Sequence, residues 1–190
     1  FVTLGWLQAI GKDVMIVRNM WARDGDIFIY DRNGKAVRHI NRKGQGDEEY
    51  SSTSGIYLDD EKGEMFVGNR VGSNVLVYDL YGNFKRSFKF KDNGFANVGA
   101  LYQPLCNFDR DHFISQDANS GRMFNFNDKA EDLEPRNLFL LISKHDGSVV
   151  EEIKIPFEKK VSQVLFDEKG IGMVNNPCIV PYGDRWLLTE

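Results

Sequence analysis

The segment IFIYDRNGKAVRHI, residues 27–40, decides how this chain folds, because two later segments repeat its pattern. These are VLVYDLYGNFKRSF, which starts at Val75, and LFLLISKHDGSVVEEI, which starts at Leu138. Each copy consists of an apolar run, a tight turn that ends in glycine, and an alternating segment, which together are typical of a β-hairpin. The chain is therefore predicted to be built from copies of one hairpin.

A second kind of hairpin accompanies these copies. The segments LQAIGKDVMIV from Leu7, LCNFDRDHFIS from Leu105 and CIVPYGDRWLL from Cys178 align without a gap. The segment IYLDDEKGEMFV from Ile56 aligns with them if one turn residue is added. Since each complete repeat unit contains both hairpins, we expect four antiparallel strands per unit.

The glycines of the hairpin turns give the length of this unit. Gly34 and Gly82 lie about 48 residues apart, and the unit that ends after Gly147 carries about 17 additional residues, placed between Asp117 and Arg136. Four strands repeated every ~45 to 50 residues are typical of a β-propeller blade. The third strands are apolar on both faces, as expected where blades stack face to face. We predict an all-β fold, a β-propeller of four-stranded antiparallel blades.

The predicted blades occupy about residues 1–41, 51–91, 98–157 and 174–190, the last being incomplete. A ring of six such blades needs roughly 290 residues, so residues 1–190 are expected to form a single partial propeller of about three and a half blades. An open ring would leave apolar blade faces in water. We expect either missing C-terminal blades, which the end within a blade favours, or another copy of the chain to complete it.

Composition excludes several classes of function. The chain has 190 residues, of which 42% are hydrophobic, and a net charge of −4 from 24 basic and 28 acidic residues. This balance provides no electrostatic footprint for nucleic acid. No apolar stretch approaches the ~20 residues that span a bilayer, so we predict no transmembrane segment.

The two cysteines, Cys106 and Cys178, are too few for a disulfide framework and too isolated for a zinc site. They fall within one position of each other in the repeat, on neighbouring inner strands, which brings a bridge within geometric reach. Buried free thiols are the favoured interpretation.

The segment NRKGQGDEEY, residues 41–50, carries a family resemblance. Together with the preceding hairpin it resembles the G-R-K-G-Q-G-P-G-E-Y stretch of bacterial six-bladed β-propeller proteins, which are related in shape to NHL-repeat propellers. Asp47-Glu48 replace the Pro-Gly of that stretch, and Asn41 replaces its first glycine. The matching residues are Lys43, Gly44, Gln45, Gly46, Glu49 and Tyr50.

This resemblance implies an exported lipoprotein of the bacterial envelope, in the periplasm or at the outer membrane, with no assigned activity. The opening FVTL is similar to the short strand with which these propellers begin. The glycines of residues 44–46 are interpreted as a structural blade-to-blade crossover. A phosphate-binding role is disfavoured, because no helix follows to present its amides and Lys43 precedes the glycines.

No catalytic residue, metal ligand or cofactor site is predicted. His39, His112 and His145 fall on an outer strand, a second strand and a hairpin turn, so nothing brings them together. The acidic clusters at residues 59–61 and 109–111 fall in hairpin turns, where aspartate usually bonds nearby amides. Calcium at these turns is the alternative.

Candidate ligand-binding residues lie where the chain enters the inner strands and in nearby loops, since inner strands line the channel of a propeller. Amides, aromatics and arginines there suit a polar ligand such as a glycan, a peptide or a protein partner, and also suit ordinary loop packing. The candidates are Tyr102, Gln103, Asn175, Asn176, Trp21, Arg23 and Arg70.

The sequence thus favours a non-enzymatic ligand-binding or scaffold module of a bacterial envelope propeller. The main alternative is a propeller enzyme, a metal-dependent lyase or lactonase whose site is completed by blades outside this chain. A structural interaction protein is the third possibility.

Overall fold

All of the secondary structure that can be described in this chain is β-strand. A computed structural model describes residues 5–19, 24–91, 102–117, 139–153, 164–166, 172–174, 178–182 and 185–189. Within these ranges the strands form three four-stranded sheets and two two-stranded hairpins, and every strand pairs antiparallel with its neighbours. Among the described residues no helix is long and apolar enough to cross a membrane.

Each four-stranded sheet is one blade, and its strands follow each other in chain order. Blade 1 contains β1 (Gly5–Ile10), β2 (Val14–Asn19), β3 (Ile27–Asp31) and β4 (Ala36–Ile40). Blade 2 contains β5 (Thr53–Asp59), β6 (Glu64–Asn69), β7 (Asn74–Asp79) and β8 (Phe84–Lys89). Blade 3 contains β9 (Tyr102–Asn107), β10 (His112–Asp117), β11 (Phe139–Ser143) and β12 (Val149–Ile153). These sheets confirm the predicted fold class.

Two hairpins follow blade 3. They are β13 (Val164–Phe166) with β14 (Gly172–Val174), and β15 (Cys178–Tyr182) with β16 (Arg185–Thr189). The second hairpin was expected from the repeat, whereas the first falls in a stretch assigned to no blade. Strands of three residues are too short to show an alternating pattern, which is why this hairpin escaped prediction.

The first strands of the blades lie side by side. β1 approaches β5, and β5 approaches β9. The approach of β5 to β9 is so close that a Cβ atom added to Gly55 would overlap the carbonyl oxygen of Pro104. Only glycine permits such contact between backbones, so the first strand of each blade is its inner strand.

The core lies between the blades. Ile16 and Ile29 of blade 1 pack with Ile56 and Val67 of blade 2 in one buried cluster. Blades 2 and 3 share a second cluster, in which aromatic rings dominate. Side chains are buried on both faces of blade 2 because it has a neighbour on each side, which explains the buried run of residues 75–78 in the middle of β7.

The glycine in the turn between the third and fourth strands of a blade can also contact the neighbouring blade. Gly34, Gly82 and Gly147 all have positive φ, at +83°, +84° and +76°, as the predicted hairpin turns require. A Cβ atom at Gly82 would lie 2.9 Å from the Cγ2 atom of Ile40 in the preceding blade. A Cβ atom at Gly34 would meet no atom of the described residues within 4 Å. Among these residues, blade 1 therefore carries the same turn without a neighbour.

This difference leads to a prediction for two matched substitutions. Both Gly34→Ala and Gly82→Ala force alanine into a left-handed conformation, at about 1–2 kcal/mol. Gly82→Ala must in addition displace the buried Ile40, and overpacking of this kind costs about 1–3 kcal/mol more. Urea unfolding of the 190-residue chain should show the larger loss of unfolding free energy for Gly82→Ala. Equal losses would argue against the contact between the Gly82 turn and blade 1.

Candidate functional site

Three of the predicted binding residues, Arg70, Tyr102 and Gln103, lie at one end of the blades, which we call the loop end. It comprises the starts of β5 and β9 and the ends of β2, β6 and β10, which antiparallel pairing brings together. The connection from β6 to β7 takes residues 70–73, and the connection from β10 to β11 takes residues 118–138. β10 ends and β11 begins at the loop end, and the residues between these two strands, where the additional residues of the third unit were predicted, lie outside the described ranges.

The loop between β6 and β7 is held by a network of hydrogen bonds. The Arg70 amide donates to the Ser52 carbonyl oxygen at 2.8 Å. The buried Asn69 side chain accepts from the Ser51 hydroxyl at 3.1 Å and donates to the Asn74 Oδ1 atom at 3.0 Å. These bonds fix the backbone from which Arg70 projects.

The side chains of this loop point into solvent. Arg70 is exposed, and its guanidinium has no hydrogen bond or ion pair within the part of the chain that the structure describes. Val71 follows it with 73% of its surface exposed. Ser73 has a φ of +50°, which is uncommon for a residue other than glycine. The loop thus presents a cation and an apolar side chain from a constrained backbone.

Tyr102 and Gln103 lie at the same end, but inside a strand. We expected them in the loop that leads into the inner strand, with Pro104 at the first strand position. The structure corrects this: β9 begins at Tyr102, so Pro104 is its third residue. The ladder between β9 and β10 shifts register beside Pro104, and such an irregularity accommodates the missing amide hydrogen of proline. Tyr102 and Gln103 are half-buried.

The other four predicted binding residues lie outside the described residues. They are Trp21, Arg23, Asn175 and Asn176. The structure therefore groups Arg70, Tyr102 and Gln103 at the loop end, and the contribution of the other four stays a prediction.

Sequence reasoning missed one residue of the loop end, Arg18. It is half-buried near the end of β2, and its Nη1 atom donates to the Thr53 carbonyl oxygen at 2.6 Å and to the Thr53 Oγ1 atom at 3.0 Å. Burial lowers the pKa of its guanidinium. One feature of the sequence could have identified Arg18: it is an arginine at the end of the otherwise apolar run of β2. Gly68 and Gln116 hold the equivalent position in the other blades.

The glycine-containing segment of residues 41–50 has a structural role, as predicted. The Tyr50 hydroxyl donates to the Gly25 carbonyl oxygen at 2.7 Å and accepts from the Arg42 amide at 3.0 Å. The Glu49 side chain accepts from the Gly46 amide at 3.0 Å. Arg42 in turn donates from Nε to the Gly82 carbonyl oxygen at 2.9 Å. The segment therefore ties blade 1 to blade 2, and its amides are used internally.

The acidic turns bond to protein groups. The Asp109 carboxylate accepts from the amides of Asp111 and His112 and from the His112 ring. Burial raises the pKa of Asp109, but the bonds from His112 and from these amides outweigh it and lower the pKa overall. His39 instead contacts Asp26, at 2.7 Å. No group of three His, Cys, Asp or Glu side chains that could hold a metal occurs among the described residues.

Asp59 was also predicted to bond to amides of its own turn, and it has a further partner. Its Oδ2 atom accepts from the Lys144 Nζ atom of blade 3 at 2.6 Å, and both side chains are 2% exposed. Lys144 also donates to the Asp109 carbonyl oxygen at 2.5 Å. This buried ion pair joins blades 2 and 3 at the end opposite to the loop end. Cys106 is half-buried on β9, and the Cys178 side chain lies outside the described residues, so their pairing stays a prediction.

Comparison with known proteins places this geometry in a family. The family DUF5128, described as a 6-bladed β-propeller, matches residues 6–169. The solved structure of a candidate exported protein from Bacteroides fragilis is similar over 76% of this chain, with 14% sequence identity and a TM-score of 0.48. The chain spans 35% of that protein's length. No curated protein matches the chain. Since the family match covers most of its residues, the chain belongs to this 6-bladed β-propeller family.

Proposed function

We propose that this chain is a non-enzymatic ligand-binding module whose ligand contacts the loop end. The observation that carries the proposal is the loop of residues 70–73. It displays the guanidinium of Arg70, which has no partner among the described residues, beside an exposed Val71, although a short surface loop needs neither side chain for its own stability. Arginine with adjacent apolar surface is a common anchor in recognition sites.

The backbone of this loop supports the proposal. A left-handed residue such as Ser73 persists only where its surroundings determine it, and such residues cluster at functional sites. The Asn69 network supplies those surroundings. A loop that is already ordered loses little conformational entropy when a ligand binds.

The ligand class follows from the neighbouring side chains. Tyr102 and Gln103 offer a ring and an amide at the same end, in addition to the charge of Arg70. This combination suits glycans, peptides and protein segments. The alternative of a metal-dependent lyase or lactonase relies on blades outside this chain to complete its site, whereas Arg70, Tyr102 and Gln103 lie within the chain, so the binding function is the one proposed.

A binding screen tests the function. The chain is screened against a glycan array and a peptide library, and every ligand found is measured with Arg70→Ala and with Gln103→Ala. Each variant should weaken binding by about tenfold or more, because each removes a polar contact. Lys85→Ala, on the exposed face of the outer strand β8, is the control and should bind normally. Unchanged affinity of both loop-end variants would refute the placement of the site.

The location in the cell is also part of the proposal. Family membership and the match at residues 41–50 support an exported envelope protein of the lipoprotein, NHL-like type. Fractionation of the native organism should recover the protein with its envelope. Recovery in the cytoplasmic fraction would refute this assignment.

Ring completion is the last part of the proposal. Blade 1 exposes Leu7, Ile10 and Val37, and its Gly34 turn has no neighbour among the residues that the structure describes. A further blade on this face, from the same protein or from another copy, would enclose Gly34 as blade 1 encloses Gly82. In the completed ring, Gly34→Ala should then be as destabilising as Gly82→Ala. A Gly34→Ala loss that stays smaller there would contradict the proposal.

A further inference from the structure

Arg18 reaches from blade 1 toward the start of blade 2. It lies two residues after Ile16, which is buried between these blades, so the alternation of β2 directs both side chains to the same face. The equivalent position in blade 2 is Gly68, where an added Cβ atom would overlap Ser54 and crowd Pro104. Blade 1 thus carries a long cation where blade 2 has no side chain.

The hydrogen bonds of Arg18 to described residues do not include one to a carboxylate. Both of its bonds come from Nη1 and end on Thr53, at the carbonyl oxygen and at Oγ1. Its Nε atom is buried and has no hydrogen-bond partner. Within the described ranges no carboxylate forms an ion pair with it.

Two other cations of the described residues, Arg86 and Lys144, are compensated by carboxylates. Arg86 makes two bonds to the Glu64 carboxylate, at 2.8 and 2.9 Å, and the hydrogen bond to Glu64 raises the pKa of Arg86 despite its burial. Lys144 has Asp59. For Arg18, burial acts alone and lowers the pKa. The contrast marks Arg18 as the exception among these cations.

Nearby carboxylates at this end are already engaged. Asp24 accepts from the Asp26 amide at 3.1 Å and from the Asn19 side chain at 3.4 Å. Asp26 accepts from His39 and Asn41, both at 2.7 Å. A buried charge without a partner is costly, and these carboxylates do not provide a partner for Arg18. An anion from outside the chain would provide that partner.

We propose that Arg18 and Thr53 bind an oxyanion, such as a carboxylate or a phosphate group, carried by a ligand at the loop end. The Nη2 atom of Arg18 forms no hydrogen bond with a described residue, and the residue as a whole is only half-buried, so this atom can donate to a ligand oxygen. The Thr53 hydroxyl accepts from Arg18 and keeps its own hydrogen to donate. Arginine is well suited to bind such groups, since the forked N–H donors of its guanidinium match the oxygens of a carboxylate or a phosphate. The proposal relies on the proposed function only for the origin of the ligand.

The test uses simple anions and the Nε–Hε resonance of Arg18 in ¹⁵N NMR spectra of the 190-residue chain. Sodium acetate and sodium phosphate are titrated separately at constant ionic strength, since acetate represents carboxylates. At least one of them should shift the Arg18 resonance saturably. Arg18→Met should abolish the saturable shifts of neighbouring amides, and Thr53→Val, which retains Arg18, should weaken binding by about tenfold or more.

Matched controls separate this site from general charge effects. Arg38→Met removes a half-buried arginine of the same blade, one that lies over the Tyr81 ring at 4.2 Å, and it should leave anion binding unchanged. The titration uses simple anions without the rest of a ligand, so a failure of the Arg70 screen would not imply a failure here. No saturable shift with either anion, or shifts that persist in Arg18→Met, would overturn the proposal. The anion that binds identifies the ligand group as carboxylate or phosphate.

Discussion

Replacing Lys144 with alanine is expected to lower the free energy of unfolding by about 3–5 kcal/mol, because the substitution leaves a buried carboxylate without its partner. Asp59 and Lys144 are each 2% exposed and are joined at 2.6 Å. Removing the ammonium also leaves the Asp109 carbonyl oxygen without one of its donors. The loss should appear in urea unfolding followed by circular dichroism.

A second lysine–aspartate pair at the same blade boundary provides the control. Lys91 contacts Asp146 at 2.7 Å, but both side chains are exposed, so solvent screens the pair. Lys91→Ala should therefore change stability far less than Lys144→Ala. Similar losses for the two variants would show that the Asp59–Lys144 pair is not buried between the blades.

Phe113→Ala is expected to have a comparable effect, a loss of about 3–5 kcal/mol, as for other large aromatic residues in cores. Phe113 is fully buried in the cluster between blades 2 and 3. Its ring lies 5.0 Å from Tyr57, 6.0 Å from Phe66 and 6.2 Å from Phe88 between ring centroids. The substitution removes the ring on which the others converge and leaves a cavity.

The matched control for this substitution is Phe108→Ala, since Phe108 is 40% exposed in the turn after β9. Phe108→Ala should lower the free energy of unfolding by only a minor fraction of the loss for Phe113→Ala. Thermal unfolding would measure both losses. If Phe108→Ala proved the more damaging of the two, the aromatic cluster would not be the core between these blades.

Much of the fold was predictable because it depends on local pattern. The apolar third strands and the glycines at positions 34, 82 and 147 repeat in the sequence, and the structure shows strands and positive φ at these places. The position of Tyr102 and Gln103 was predictable only approximately. A proline usually indicates a strand start, and the shift in register that admits Pro104 into β9 has no local signal.

The candidate site was less predictable, because its chemistry depends on which distant residues meet. Arg70 could be placed at the loop end from the repeat alone. That Arg18 meets Thr53, and no carboxylate of the described residues, could not be inferred, since this depends on what blade 2 presents to it. Lys144 falls in a hairpin turn, where a lysine is usually solvated, and its burial depends on an aspartate 85 positions earlier.

The face-to-face packing of blades is the central claim, because it positions the loop end where Arg18, Thr53 and Arg70 lie. A double-mutant cycle across the boundary between blades 2 and 3 tests it most directly, with Asp59→Ala, Lys144→Ala and the double variant unfolded in urea. Residues in contact are coupled by about 0.5–3 kcal/mol, and for this buried pair the cycle should give about 2 kcal/mol or more. Losses that simply add would mean that the two side chains do not meet, which would contradict the packing of these blades.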